Sequence, residues 1–403
     1  MPETRDWTRL AVFGGKPAFE ETLHVGRPNV GDREGFLARV NDILDRRWLT
    51  NNGKYVQEFE RRIADFVGVR HCISMCNATV ALEITTRALG MSGEVIVPSF
   101  TFIATAHALQ WQEITPVFCD IDPATHNLDP ARVEEMITPR TTGIIGVHVW
   151  GRPCVVDALT GIARRRGLKL IFDAAHAFGC SHGGRMIGGF GDAEVFSFHA
   201  TKFLNSFEGG AVVTDDDALA GRVRLMKNFG FAGYDNVSYI GTNGKMTEVC
   251  AAMGLSSLES MADVIDVNRR NYLQYREELK EVPGVRVAAY DERDRCNYQY
   301  VVLEVDESGP LPDRDFLARI LHAENVFVRR YFHPGCHRME PYRSYFPHAG
   351  LLLPNTERLA RRVLLLPTGT AVTSRDIAEI GRIIRTVFRD GAEIRERLER
   401  SPR

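Results

Sequence analysis

The chain reads as an α/β protein built on a large, mostly parallel sheet and followed by a smaller α+β domain. Three observations predict this. From about residue 55 to residue 215, apolar runs of strand length alternate with amphipathic stretches of helix length. Those runs are continuous rather than alternating, as strands covered on both faces require, so helices lie on each side of the sheet. Beyond Pro283-Gly284 the pattern changes. With 403 residues, the chain exceeds a typical single core and suggests two domains. We place a large domain over 30–262 and a small one over 263–403, with segment 1–29 packing against the body.

The elements follow in order. Val56, Phe59, Ile63 and Phe66 recur at helical spacing, which predicts a helix over Tyr55–Val67. A strand over Cys72–Met75, a helix over Thr79–Leu89 and a strand over Glu94–Val97 come next. A helix over Ala104–Gln110 and strands over Pro116–Asp120 and Gly143–Val149 follow. Then come a helix over Val155–Arg166 and strands over Lys169–Phe172 and Glu194–Phe198. After the glycine pair Gly209-Gly210, Ala211–Thr214 returns as a further strand. One long helix is expected from Glu248 to about Lys280, stopped by Pro283-Gly284. The small domain then reads as a strand over Tyr298–Val305, a helix over Asp313–His322, a strand over Val326–Tyr331 and a closing helix over Ser374–Phe388. The charged tail 389–403 reads as a frayed helix end.

Composition excludes several classes. A hydrophobic content of 44%, a charged content of 25% and a net charge of −2 describe an ordinary globular protein. They give no electrostatic reason to expect nucleic acid or an anionic membrane as partner. No apolar run approaches the roughly 20 residues that span a bilayer. Met1 to Asp6 is polar and lacks the apolar core of a signal peptide, so a cytoplasmic location is expected. The eight cysteines are scattered through apolar segments. Cys72 and Cys76 form the one close pair, with no second pair at zinc-ligand spacing, so free thiols and no metal site are expected.

The chemistry centres on Lys202, one of seven lysines against forty-three arginines. It ends the mostly apolar run Phe196-Ser197-Phe198-His199-Ala200-Thr201-Lys202, and the acidic turn Asp173-Ala174-Ala175-His176 follows the apolar segment Leu168–Phe172. Taken singly, such a lysine is a surface residue after a strand. Paired with a carboxylate and with a hydroxyl, Ser197, five residues before it, it meets the needs of pyridoxal phosphate. The amine forms a Schiff base with the aldehyde, the carboxylate pairs with the protonated ring nitrogen, and the hydroxyl helps hold the phosphate. Asn77-Ala78-Thr79 opens a helix after a strand. Alone it is an N-cap; beside Lys202 and Asp173 it is a phosphate cradle. Phe102 follows a strand's carboxyl end, where it can lie on a cofactor ring or simply pack in the core. His176 can reach the cofactor's phenolic oxygen, orient Asp173, or be a satisfied core histidine. Gly241-Thr242-Asn243-Gly244-Lys245-Met246 is a polar, glycine-flanked loop before a helix, which taken alone reads as a capping turn.

Together these residues resemble the DegT/DnrJ/EryC1/StrS family of sugar aminotransferases. The resemblance covers nearly the whole chain. It runs through Phe13-Gly14-Gly15-Lys16-Pro17, Gly53 to Glu60, Val97 to Phe102, Asp120-Ile121-Asp122 and Val147-His148-Val149-Trp150-Gly151. It continues through Asp173 to His176, Ser197 to His199 with Lys202, Glu208-Gly209-Gly210, Thr242-Asn243 and Leu364 to Pro367. It implies a type I, aspartate-aminotransferase-like fold and a pyridoxal phosphate held by Lys202, with Asp173 on the ring nitrogen and His176 near the phenolic oxygen. Asn77, Ala78, Thr79 and Ser197 would hold the phosphate, and Phe102 would stack on the ring. Asn243 would reach the phosphate of the other subunit's cofactor, which makes a homodimer obligatory. Ala78 departs from the glycine of many members but is still small.

The resemblance further implies transamination between L-glutamate (giving 2-oxoglutarate) and a nucleotide-linked keto-sugar. The segment Arg329 to Tyr342 looks like the branch that aminates carbon 4 of a dTDP-4-keto-6-deoxyhexose, with Tyr331, His333 and His337 as sugar-contacting candidates. The arginine excess suggests codons rich in G and C, fitting a producer of deoxyaminosugar antibiotics. The alternatives are amination at carbon 3, a sugar dehydratase of the same fold, in whose relative a histidine replaces the lysine, and a non-catalytic regulator, which would show a broken site. A Rossmann dehydrogenase is disfavoured, because no G-x-G-x-x-G stands between a strand and a helix.

Overall fold

A computed structural model describes residues 6–307 and 312–400. Its central feature is a seven-stranded sheet of β1 (His71–Met75), β2 (Glu94–Pro98), β3 (Thr115–Cys119), β4 (Thr141–Val147), β5 (Lys169–Asp173), β6 (Ala193–Ser197) and β7 (Gly210–Thr214). The order across the sheet is β1-β7-β6-β5-β4-β2-β3. β7 runs antiparallel to both its neighbours, and the other pairs are parallel. Successive side chains point to opposite faces, so Leu170 and Phe172 enter one core while Ile171 enters another. The first core is closed by α1 (Arg33–Arg46), α2 (Lys54–Val67), α5 (Val156–Arg166) and α7 (Glu248–Glu259). The second is closed by α3 (Ala78–Ala88), α4 (Ala104–Gln110) and α6 (Asp217–Met226). Two buried faces are the physical reason that the middles of these strands are apolar on both sides, as at Leu170, Ile171 and Phe172.

A separate core forms around a three-stranded antiparallel sheet, β8 (Val285–Val287), β9 (Val301–Val305) and β10 (Val363–Leu366). It is covered by α8 (Met261–Leu279), α9 (Arg314–Ala323) and α10 (Ser374–Arg389). Leu10 and Leu23 from the N-terminal stretch belong to this core, and Leu23-His24 pairs in parallel with Val326-Phe327. A fourth cluster, with Phe100, Val147, Trp150, Tyr300 and Phe332, joins the carboxyl ends of the large sheet to the small one. The candidate site lies along that seam. No helix among the described residues is long and apolar enough to cross a membrane. All eight cysteines are free thiols.

Several elements differ from the sequence reading for identifiable reasons. The expected long helix is two, α7 and α8, because Ser260 leaves helical geometry and donates its hydroxyl to the Ser256 carbonyl at 3.2 Å. β4 stops at Val147 rather than 149, because Trp150 and Gly151 turn the chain through φ 58° and 81°. The strand expected from Tyr298 begins only at Val301. Tyr298 itself is left-handed at φ 48°, and Asn297 is tied to the carbonyls of His176 and Phe178 at 2.8 and 3.0 Å. The strand expected over Val326–Tyr331 shrinks to Val326-Phe327 plus one bridge between Arg329 and Leu365. The tail is a distinct helix, Gly391–Arg400, anchored by buried Ile394; residues 401–403 lie outside the described residues.

Candidate active site

The site is assembled by the register of β7. Gly210 pairs with Met75 on one side and with Ser197 on the other. A side chain there has no room, since a Cβ on Gly210 would stand 2.6 Å from Ala78 N. Ser197 and the start of α3 are therefore brought to the same sheet end. Asn77 caps α3, its Oδ1 accepting the Val80 N–H at 2.9 Å. Among the described residues the N–H groups of Ala78 and Thr79 find no acceptor within the chain, as first-turn N–H groups do unless an anion or a cap supplies one. Helix N-terminus, free N–H groups and nearby hydroxyls together can hold a phosphate.

At the end of β5, Asp173 is buried, 5% exposed. Its Oδ2 accepts the Thr105 hydroxyl at 2.8 Å and its Oδ1 the Ala175 N–H at 3.1 Å. Thr105 in turn is hydrogen-bonded to the Thr101 hydroxyl at 3.0 Å. Burial pushes the Asp173 carboxyl above the ordinary carboxylate range, against the pull of Thr105, Ala175 and Lys202. Lys202 shows the converse. Burial lowers its amine from 10.5 to about 8, with Asp173 opposing. Its Nζ lies 3.5 Å from Tyr300 Oη. His176 is driven by burial well below its usual range, and its Nδ1 accepts the Trp150 N–H at 3.2 Å. The ring is thus neutral with its proton on Nε2. It packs parallel to Phe332 and edge-on to Tyr300. Phe102, on the loop that leads to Thr105, is 55% exposed and offers an open ring face.

The remaining expected residues distribute less evenly. Tyr331 is half-buried and close enough to Tyr300 to act on its ionisation. His333 faces elsewhere: its ring bonds the Ala360 carbonyl at 3.2 Å, and it lines a surface cavity with Arg338, Arg343 and Arg361. His337 is not offered to a sugar. Its side chain is 1% exposed, with Nδ1 2.7 Å from the Ser99 hydroxyl and Nε2 2.7 Å from Glu357. Asn243 is exposed and makes no side-chain hydrogen bond among the described residues, although Gly244 beside it accepts the Cys76 N–H at 2.8 Å. Sequence reasoning missed Thr105, which donates to Asp173, and Tyr300, which stands beside Lys202. A threonine inside a helix and a residue at a strand's edge carry no local signature.

The residues present fit pyridoxal phosphate at each of its functional ends. The α3 N-terminus offers unpaired N–H groups for a phosphate. Asp173, strained by burial, gains from a cation such as a protonated ring nitrogen. Lys202 has an amine uncharged in part near neutral pH, as attack on an aldehyde needs. The chain's similarities agree with this geometry. Residues 31–385 match the DegT/DnrJ/EryC1/StrS aminotransferase family. A dTDP-4-amino-4,6-dideoxy-D-glucose transaminase of Shigella dysenteriae is 37% identical over 360 residues, 89% of this chain and 97% of that protein. One of Escherichia coli with the same name is 34% identical over 368 residues, 91% of this chain and 98% of that protein. The crystal structure of DesI, in the presence of its TDP-sugar product, superposes with a TM-score of 0.94 at 52% identity, over 98% of this chain and all of that one.

Proposed function

The chain belongs to the DegT/DnrJ/EryC1/StrS aminotransferase family, and from that premise we propose that it moves an amino group from L-glutamate to carbon 4 of a dTDP-4-keto-6-deoxyhexose. The observation that carries this reading is the meeting of Lys202, Asp173 and the α3 N-terminus at one sheet end. The choice of carbon 4 is supported by the relatives named for 4-amino sugars and by the likeness to DesI with its TDP-sugar product. The product is an aminodeoxysugar for natural-product assembly, and the enzyme works in the cytoplasm.

When bound, pyridoxal phosphate supplies the electron sink through which nitrogen passes between an amino acid and a ketone. The chain's own groups do the rest. Asp173 would hold the ring nitrogen's proton, in surroundings where low dielectric strengthens the pairing. Lys202 Nζ would anchor the cofactor and, as a free amine, would carry the proton that leaves the donor's Cα. His176 would offer its Nε2–H to the phenolic oxygen. Asn77, Ala78, Thr79 and Ser197 would hold the phosphate, and Phe102 would cover the ring. The lysine separates this site from the dehydratase alternative.

Asn243 completes the phosphate site of a second copy. Its loop follows an exposed hairpin, Phe231–Val237, in which Tyr234 is 97% exposed, and Ile240 beyond the hairpin is 76% exposed; a homodimer that covers this face shares both sites. The test of the positional assignment offers the 4-keto and the 3-keto sugar isomers with glutamate and locates the new nitrogen by NMR. Nitrogen at carbon 4 is expected. Amination only at carbon 3 overturns the position and leaves the cofactor assignment standing.

A further inference from the structure

Two segments run side by side at the rim of the site, and each carries an arginine without a partner in the chain. The first is 25–29. Val25 packs against the cluster that holds Tyr300 and Phe332, the two rings that flank His176. Gly26 turns the chain through φ 75° and passes close to Thr201, the neighbour of Lys202; a Cβ there would stand 3.0 Å from Thr201 Cβ. Asn29 then ties the segment down. It donates to the Phe203 carbonyl at 3.2 Å, and its own carbonyl accepts Asn205 Nδ2 at 2.9 Å. Between these anchors stands Arg27, exposed, with Pro28 after it favouring an extended backbone.

The second segment is 326–332. It pairs with Leu23-His24, and the Val25 N–H extends that ladder to the Phe327 carbonyl at 3.4 Å. Side chains alternate along it, so Val326 and Val328 are buried while Phe327 and Arg329 are exposed on the other face. Arg329 exchanges backbone bonds with Leu365 at 3.2 and 2.7 Å, and three residues later Phe332 lies parallel to His176. Among the described residues neither Arg27 nor Arg329 has a side-chain hydrogen bond or a carboxylate within 4.0 Å. Arg330, by contrast, is paired with Asp315 at 2.9 Å. Two unpaired guanidinium groups on adjacent segments draw an anion, and their forked donors match phosphate oxygens without breaking any internal pair. A hexose that presents carbon 4 at Lys202 carries its diphosphate on carbon 1, across the ring and therefore outward. The exposed rim is where that charge arrives.

We propose that Arg27 and Arg329 together hold the diphosphate of the nucleotide-sugar. This rests on the reading of the acceptor as a dTDP-sugar. The experiment titrates full-length apoprotein with dTDP, and with thymidine as the probe that lacks phosphate, by calorimetry at about 0.1 M salt, where exposed charges are only partly screened. Both side chains are exposed and bonded to nothing, so their variants fold. Arg27→Gln and Arg329→Gln should each weaken dTDP binding roughly ten- to hundredfold and leave thymidine binding as it was. Arg27→Lys should lose less, since an ammonium keeps the charge but not the fork. In the holoenzyme, kcat/KM for the keto-sugar should fall by the same factor, well beyond any loss in the glutamate half-reaction. Unchanged dTDP affinity in either Gln variant, or a wild type that does not bind dTDP, overturns the proposal. So does a loss confined to the glutamate half-reaction, which would assign the arginines to the donor's carboxylate. Amination of the keto-sugar by wild type answers separately for the acceptor reading. Arginine-dependent dTDP binding without amination would sink that reading and leave the diphosphate site standing.

Discussion

Replacing Gly210 by alanine probes the assembly of the site at the point where the sheet and the phosphate cradle touch. A Cβ there would lie 2.6 Å from Ala78 N, 2.6 Å from the Asn77 carbonyl carbon and 2.8 Å from Ala78 Cα. Carbon atoms in ordinary contact stand about 3.5–4.0 Å apart. All three neighbours are backbone, so no side chain can swing aside; either β7 or the first turn of α3 must move. Overpacking of this kind costs about 1–3 kcal/mol of stability. The first turn of α3 is the more mobile partner, because β7 is paired on both sides. Moving it misdirects the Ala78 and Thr79 N–H groups. Loss of one hydrogen bond to a charged phosphate is worth about 1.5–3 kcal/mol, or roughly a ten- to hundredfold weaker Kd. Urea unfolding of the apoprotein gives the first quantity, and titration of the apoprotein with pyridoxal phosphate, followed by absorbance, gives the second. Wild-type affinity together with unchanged stability would refute the claim that Gly210 sets the position of the cradle.

Further outcomes follow from the same geometry. Burial holds the Lys202 amine at about 8 in the folded chain, against 10.5 for a freely solvated lysine, so the unfolded chain holds the extra proton between those values and stability rises with pH across that window. Below it, the buried ammonium destabilises the apoprotein by about 3 kcal/mol; Lys202→Met should be the more stable at pH 7, with the gap closing between pH 8 and 10.5 in urea unfolding, and a pH-independent gap contradicts this. Asp173→Asn is nearly isosteric, so the fold should survive while turnover drops by roughly a hundred- to a thousandfold; an unchanged transamination rate would make Asp173 structural. Mixing inactive Lys202→Ala with an inactive Asn243→Ala chain should restore partial activity, because one site of the mixed dimer carries both lesions and the other neither. No recovery would mean that both residues serve a site from the same chain.

Much of the architecture was legible because burial leaves a mark on composition. Leu170, Ile171 and Phe172 are apolar in succession because successive residues enter different cores, and that run announces a central strand. Lys202 and Asp173 were legible because an amine and a carboxylate in apolar segments conflict with burial unless chemistry uses them. What could not be read depends on contacts distant in sequence. Thr105 reaches Asp173 across 68 residues, and Tyr300 reaches Lys202 across 98. Ser260 breaks a helix through one hydroxyl bond that an uninterrupted apolar periodicity hides. His337 shows the reverse error. A histidine in a polar, proline-rich segment suggests a ligand contact, but Ser99 and Glu357 close on both of its nitrogens and make it a pin between the sheet and the segment after β9.

The claim on which the rest depends is that Lys202 carries the cofactor. Purified protein loaded with pyridoxal phosphate should be yellow, and borohydride should fix the cofactor to one lysine, identified by peptide mass mapping. The label is expected on Lys202, and none in Lys202→Ala. Recovery of the label on Lys169 or Lys227, with Lys202 unmodified, would contradict it.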